Sequence, residues 1–173
     1  GEPLLETPSF RRSNAFDAVG AECRAVREKV GITEIHNFGK YKVTGPKAAD
    51  WIDWIMAGRV PKVGRMSLSP MLSPKGRLIG DFTIARLAEE EFQLTASFGA
   101  QGYHLRWFWD HLPEEGVEIE NVSLKRIGFQ IAGPRARDLL AKVSYEEVST
   151  EAFPFMAVKR MGVGLSDAIV QRV

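Results

Sequence analysis

The sequence predicts an α+β fold in which antiparallel sheets are packed against helices. Three observations lead to this class. Short segments of alternating apolar and polar residues are separated by turn residues, which is typical of strands. In other segments, apolar residues recur every three or four positions, which is typical of helices. A strand–Gly-Pro–helix pattern also occurs twice, which predicts two pseudo-repeated units.

Composition excludes several classes of protein. The chain has 173 residues with 23 Lys plus Arg against 22 Asp plus Glu, so a net charge of +1 gives no reason to expect nucleic acid or an acidic membrane as a partner. The single cysteine excludes a disulfide framework. No apolar run reaches the roughly 18 residues of a membrane span, and no signal peptide is visible. We therefore expect a soluble, cytoplasmic protein.

The N-terminal part predicts an extended arm over residues 1–15, followed by an amphipathic helix. Asn14 is the expected N-cap of this helix. Cys23 falls on the apolar side of the helix, so we expect it to be a small buried core residue. The apolar positions at steps of three and four are Phe16, Val19, Cys23, Val26 and Val30.

The middle of the chain predicts a meander of three antiparallel strands between two helices. Ser73–Gly76 combines Pro with Gly two residues later, which is good turn chemistry, and an acidic turn follows at 88–91. The expected strands are 39–45, 65–72, 77–87, 92–96, 117–120 and 125–132, and the expected helices are 46–58 and 100–112. Residues 167–173 also alternate like a strand. This strand is either cut off in mid-course or a short C-terminal edge strand.

The repeat pairs Gly39–Asp50 with Gly128–Asp138. In both, a strand runs into Gly-Pro, a basic residue and Ala, and a helix follows. We expect two pseudo-equivalent units, each packing its helix across one sheet. A glycine turn before a helix can bind phosphate, but Pro follows the Gly directly and no Gly-Lys-Ser/Thr occurs. A structural turn is therefore the preferred interpretation.

Few residues suggest catalysis by themselves. His104 and His111 lie seven residues apart on one helix, too far for two imidazoles to share a metal, so we expect no metal site. The tryptophan and phenylalanine clusters on the two middle helices are expected to be packing residues.

Asp81 stands out because aspartate is rare in strands and its neighbours are apolar. Its carboxylate either hydrogen-bonds a turn backbone, or points, partly desolvated, into a ligand cleft where it stabilises a cationic group.

Three segments resemble the aminomethyltransferase family, the T-proteins of glycine cleavage: Gly31–Ala48, Pro70–Arg86 and Ile131–Leu140. The likeness is nearest to the T-protein-like half of flavin-dependent dimethylglycine and sarcosine dehydrogenases or oxidases. It extends from about Thr7 to the end of the chain. The resemblance implies a T-protein-like fold, tetrahydrofolate as cofactor and one-carbon transfer from a small N-methylated amine or amino acid. FAD would belong to an N-terminal flavin domain that this chain does not contain.

The resemblance also assigns site residues. It makes Asp81 the catalytic carboxylate beside the folate nitrogens, where it favours attack on a methylene-iminium carbon. It makes Phe38, Leu68 and Ser97 cofactor-binding positions, at which the family usually has Met, Tyr and Asn. The family's pteridine-binding Glu would follow Val173, so residues 16–173 are expected to form an incomplete folate-binding module. The alternative is a non-catalytic relative that binds folate or a partner.

Overall fold

The computed structural model describes residues 5–173, which form an α+β fold of antiparallel sheets and four helices. Residues 1–4 of the expected arm lie outside the described residues. The helices are α1 (Phe16–Glu28), α2 (Ala48–Ile55), α3 (Gln101–Asp110) and α4 (Ala136–Val143). The strands are β1 (Gly31–Glu34), β2 (Phe38–Thr44), β3 (Met66–Leu72), β4 (Leu78–Ala88), β5 (Glu91–Ser97), β6 (Glu118–Asn121), β7 (Phe129–Ala132), β8 (Val158–Val163) and β9 (Ser166–Gln171).

A five-stranded antiparallel sheet in the order β3-β4-β5-β2-β6 is the centre of the fold. The expected meander is confirmed as β3-β4-β5. The Ser73 N–H donates to the Arg77 carbonyl at 2.8 Å, and Gly76 closes this turn with a φ of +70°. A side chain rarely adopts that φ, which explains why glycine stands there.

The main core lies between one face of this sheet and the helices α2 and α3. Strand residues at every second position point into it, because successive side chains in a strand alternate between faces. The fully buried large side chains of this core are Tyr41, Val43, Ile52, Met71, Phe82, Ile84, Phe92, Leu94 and Phe108.

The two Gly-Pro units share a local geometry but not a sheet. Gly45 and Gly133 adopt φ values of +125° and +119°, and each carbonyl accepts an N–H three residues later at 3.0 Å. However, β2 belongs to the five-stranded sheet, whereas β7 pairs with β1 in a two-stranded sheet. The expectation that both helices pack across one sheet is therefore wrong, because the second strand has a different pairing partner.

The β8-β9 hairpin covers part of the other face of the central sheet. The Met66 N–H donates to the Met156 carbonyl at 2.9 Å, and Val158 packs with Met66 and Ala85 in a small buried cluster. The alternation over 167–173 is confirmed as the strand β9, with β8 as its partner.

Helix α1 corrects two predictions. Cys23 is exposed, and none of the residues of α1 is buried, because no other element among residues 5–173 covers its apolar stripe. Asn14 does not cap the helix. Its side chain instead accepts the Thr7 N–H at 3.2 Å and donates to the Leu5 carbonyl at 2.9 Å, which ties the arm residues together. The division of the chain at residue 15 stays a prediction.

Candidate functional site

The candidate site is the part of the central sheet that faces away from α2 and α3. The strand register places Phe38, Leu68, Asp81 and Ser97 on this surface, which we call the open face. Phe38 lies directly opposite Ser97, and Asp81 opposite Pro70. Thr83 on β4 lies opposite both Leu68 on β3 and Thr95 on β5. The Phe38–Ser97 and Asp81–Pro70 pairs therefore lie on the same face of four neighbouring strands. All four residues expected from the resemblance therefore share one face.

Asp81 is exposed in the middle of the sheet, on the strand β4. Its neighbour Phe82 is buried in the core, so the alternation of the strand turns the carboxylate outward. Within residues 5–173, its side chain makes no hydrogen bond or salt bridge to the protein, so it does not satisfy a turn backbone. The carboxylate is exposed rather than desolvated, and its role towards a ligand stays a prediction.

Phe38 and Leu68 supply apolar surface on either side of this carboxylate. Leu68 is 68 % exposed, and it lies diagonally across from Asp81 on the edge strand β3. Diagonal neighbours of this kind are separated by about 7–8 Å. Phe38 is two strands away from Asp81, which corresponds to about 10 Å at the usual strand spacing. Exposed apolar side chains flanking a carboxylate suit a flat, partly polar ligand.

Behind Asp81, the sheet is supported by a buried polar pair in the core. The Tyr41 hydroxyl lies 3.2 Å from Nδ1 of His104. Burial raises the pKa of Tyr41 to about 12, so its hydroxyl keeps its proton. Burial also lowers the pKa of His104, and a hydrogen bond with the Ile79 backbone opposes this shift. A Cβ added to Gly80 would lie 2.6 Å from Nε2 of His104, so this imidazole packs directly on the strand beside Asp81.

The Gly-Pro turns are structural, as the sequence suggested. The Gly45 N–H donates to the Glu90 carbonyl at 3.1 Å, and the Lys47 N–H donates to the Gly116 carbonyl at 2.9 Å. In the second unit, the Arg135 N–H donates to the Lys29 carbonyl at 2.9 Å. These N–H groups are occupied by the backbone and are not presented to an anion.

The aromatic clusters are only partly packing residues. Trp51 and Phe108 are buried, but Trp54 and Trp109 are exposed. Trp54 lies beside a shallow depression at the end of α3, where the rings of Trp107 and His111 stack with their centroids 4.3 Å apart. The expectation that both clusters are packing residues is not met by the exposed members among residues 5–173, because α2 and α3 each have one face towards solvent.

Lys40 is a residue that the sequence pattern misplaced. It alternates with Tyr41, so the strand pattern predicts it on an exposed face, but it is buried. The alternation correctly separates the two faces of β2. It does not indicate which polar residues on a face are buried by the rest of the fold.

Two kinds of feature are absent from residues 5–173, a cluster of metal ligands and a helix able to span a membrane. Among residues 5–173, no three His, Cys, Asp or Glu side chains come together in a way that could hold a metal ion. In the same residues, no helix combines the length and apolar character needed to cross a membrane.

The fold is that of an aminomethyltransferase-type domain. Residues 5–173 match the family described as GCVT N-terminal domain, and the chain belongs to this family. Glycine cleavage system aminomethyltransferase T from Bartonella henselae matches 81 % of this chain and 38 % of its own, with a TM-score of 0.71 and 22 % identity. Heterotetrameric sarcosine oxidase from Corynebacterium sp. U-96 matches 95 % of this chain and 82 % of its own, with a TM-score of 0.65 and 17 % identity. At these identities, the two structures establish the fold alone.

Curated sequences place the chain beside dimethylglycine dehydrogenase. Human mitochondrial dimethylglycine dehydrogenase is 34 % identical over 165 residues, which cover 94 % of this chain and 19 % of that protein. The mouse pyruvate dehydrogenase phosphatase regulatory subunit, also mitochondrial, is 27 % identical over 170 residues, covering 96 % of this chain and 19 % of that protein. The chain thus spans about a fifth of the length of these relatives. The cytoplasmic location expected from the sequence stays a prediction.

Proposed function

We propose that this chain is a tetrahydrofolate-binding module for one-carbon transfer. It would act with an N-terminal flavin domain outside this chain, as part of an N-methylglycine dehydrogenase or oxidase. Residues 16–173 would form the module, and residues 1–15 the arm leading into it. The observation that carries the proposal is the convergence of Asp81, Phe38, Leu68 and Ser97 on one exposed face. Kinship with dimethylglycine dehydrogenase supports it.

The residues present fit a folate. Phe38 and Leu68 offer apolar contact to a flat heterocycle, and Ser97 adds a hydroxyl beside Phe38. Asp81 offers a carboxylate without a protein partner among residues 5–173, so its oxygens are free to accept N–H groups of a ligand. A bound ligand that covers Asp81 would also exclude water, which strengthens the interaction of the carboxylate with positive charge.

The proposed chemistry moves a methylene group from the methylene-iminium form of a secondary amine to tetrahydrofolate. Bound tetrahydrofolate would supply two N–H nitrogens, to which the methylene carbon would form two C–N bonds as both of its bonds to the substrate nitrogen break. The two displaced protons would leave on the amine, which would depart as a secondary ammonium ion. Asp81 would accept a proton from a folate nitrogen, hold it, and pass it to the departing amine. Its negative charge would also stabilise positive charge that develops beside it.

Binding is the first test. Titration calorimetry with 5-formyl-tetrahydrofolate on the purified protein should show saturable binding. Asp81→Asn should weaken that binding, whereas Asp53→Asn, which alters an exposed carboxylate on α2, should leave it unchanged. If the wild-type protein does not bind, the folate proposal fails.

Turnover tests the role of Asp81 separately. The protein is supplied with a flavin-dependent dehydrogenase that oxidises dimethylglycine, and 5,10-methylenetetrahydrofolate is measured against free formaldehyde. We expect Asp81→Asn to lower methylenetetrahydrofolate formation by about 10²–10⁴-fold, the usual contribution of a general acid–base group. Unchanged turnover in this variant would remove Asp81 from the mechanism.

A second candidate function is supported by the regulatory subunit among the relatives. That protein is similar over 96 % of this chain, and its name describes regulation rather than catalysis. In this alternative, the open face binds folate or a partner protein without turnover. Saturable folate binding with no methylenetetrahydrofolate formation in the coupled assay would favour it.

A further inference from the structure

The open face contains a buried lysine that the proposed chemistry does not use. Lys40 is only 6 % exposed, and its side chain is on the same face as Phe38 because the two residues are two apart in β2. Burial lowers the pKa of Lys40. Within residues 5–173, no carboxylate forms a salt bridge with it. Burying an ammonium group is costly, so its hydrogen bonds are informative.

Those hydrogen bonds go to the backbone around Phe38. The Lys40 Nζ donates to the His36 carbonyl at 2.9 Å and to the Phe38 carbonyl at 3.1 Å. The His36 carbonyl also accepts the Phe38 N–H at 2.9 Å. The ammonium therefore holds the carbonyl of Phe38, while the turn formed by residues 36–38 holds its N–H.

The backbone of Lys40 is also held by hydrogen bonds. Its N–H donates to Ser123 Oγ at 2.8 Å, and its carbonyl accepts the Val122 N–H at 2.9 Å. On the other side, Lys40 lies opposite Thr95 in β5. An anchored backbone with a buried side chain gives the ammonium few alternative positions.

We infer that Lys40 is a positioning residue for the open face: its ammonium holds the turn at residues 36–38, so that the ring of Phe38 stays beside Ser97 where a ligand would contact it. The effect on ligand binding rests on the proposed folate function, whereas the effect on the turn at residues 36–38 is independent of that function. Since Lys40 is almost fully buried, it acts through Phe38 rather than through contact with the ligand.

The first test compares Lys40→Met with Lys42→Met. Methionine keeps an unbranched apolar chain and removes the N–H donors. Lys42 is the matched control, because it lies on the same face two residues along the strand, and its Nζ is 3.9 Å from Glu91 Oε1. Calorimetry with 5-formyl-tetrahydrofolate should show about tenfold weaker binding for Lys40→Met, as expected for a displaced contact residue, and less than about twofold for Lys42→Met.

A double-mutant cycle identifies the route of the effect. If Lys40 acts through Phe38, then Lys40→Met added to Phe38→Ala should weaken binding by less than about twofold further. If the two effects simply multiply, Lys40 acts elsewhere and the inference is wrong. Rescue is a further check. Lys40→Cys in a Cys23→Ser background, alkylated to S-aminoethylcysteine in denaturant and then refolded, restores an ammonium of similar reach and should restore binding.

A readout without ligand separates this inference from the folate proposal. Amide hydrogen exchange of Phe38 should become at least about tenfold faster in Lys40→Met, while exchange of Tyr41 in the same strand stays within about twofold. Unchanged exchange at Phe38 would overturn the inference even if folate binds. Faster exchange at Phe38 in a protein that binds no folate would support Lys40 as the turn anchor, and only the folate proposal would fail.

Discussion

Truncation of Phe108 is the sharpest test of how the core supports the candidate site. Its ring is 0 % exposed at the centre of the main core. The ring centroid lies 5.3 Å from that of Tyr41, 5.7 Å from that of Trp51 and 5.7 Å from that of Phe82. Phe108→Ala removes all three aromatic contacts at once. Because Phe82 precedes Thr83 and follows Asp81 on β4, the loss occurs directly behind the open face.

The size of the effect follows from complete burial. Phe→Ala in a packed core lowers the free energy of unfolding by about 3–5 kcal/mol, since the transfer term and the cavity term add. For a chain of this size, each kcal/mol lowers the melting temperature by about 2–4 °C. We therefore expect a decrease of roughly 6–20 °C in melting temperature. Phe108→Leu, which keeps most of the volume, should cost less than about 1.5 kcal/mol.

The assay is urea unfolding followed by circular dichroism, with Trp109→Ala as the control. Trp109 is the next residue on the same helix, but it is 62 % exposed, so its truncation should change the free energy of unfolding by less than about 0.5 kcal/mol. The reasoning is refuted if Trp109→Ala destabilises as much as Phe108→Ala. An effect below about 1 kcal/mol for Phe108→Ala would refute it as well.

Two further predictions concern His104 and Gly45. Because burial lowers the pKa of His104, its contribution to stability should be complete above about pH 6.5, the value for an unfolded histidine, and should be lost as the pH falls from there through the lower folded-state pKa. The free energy of unfolding should fall by at most about 1.4 kcal/mol per pH unit. Urea unfolding at several pH values should show a weaker pH dependence of this free energy for His104→Gln than for the wild-type protein. An equal pH dependence in the two proteins would contradict the prediction. Gly45→Ala should destabilise by more than about 1 kcal/mol, because φ is +125° and the new Cβ would overlap the carbonyl oxygen of Gly116. Gly99→Ala, which meets open space, should change the unfolding midpoint far less, and equal effects would contradict the explanation.

Much of the fold can be predicted from local patterns. The hairpin around Ser73–Gly76 and the strands on either side follow from turn chemistry and alternation, and the structure confirms them. The helices α2 and α4 follow from the repeated Gly-Pro pattern, because a glycine with positive φ and a proline after it end a strand and begin a helix. Predictions of burial were less accurate, because burial requires a second helix or strand to pack on the residue. Cys23 was assigned to the core from its helical spacing, and no element covers it in the described residues.

The candidate site shows the same division. Asp81 could be singled out because a carboxylate in an apolar strand is unusual, and the family resemblance added Phe38, Leu68 and Ser97. Their meeting on one face depends on strand register, which no local pattern specifies. Lys40 could not be found in this way, since its ammonium is held by the turn at residues 36–38 and its backbone N–H by the distant Ser123.

The sequence by itself determined the α+β class, the turns and most of the strands, because these depend on interactions between residues close in the chain. It also carried the motifs by which the family is identified. Only the tertiary structure decided which residues share a face, which polar groups are buried and which apolar stripes stay uncovered. Those properties depend on pairing between strands far apart in the chain, and β2 is paired both with β5 and with β6. The open face is a product of that long-range register.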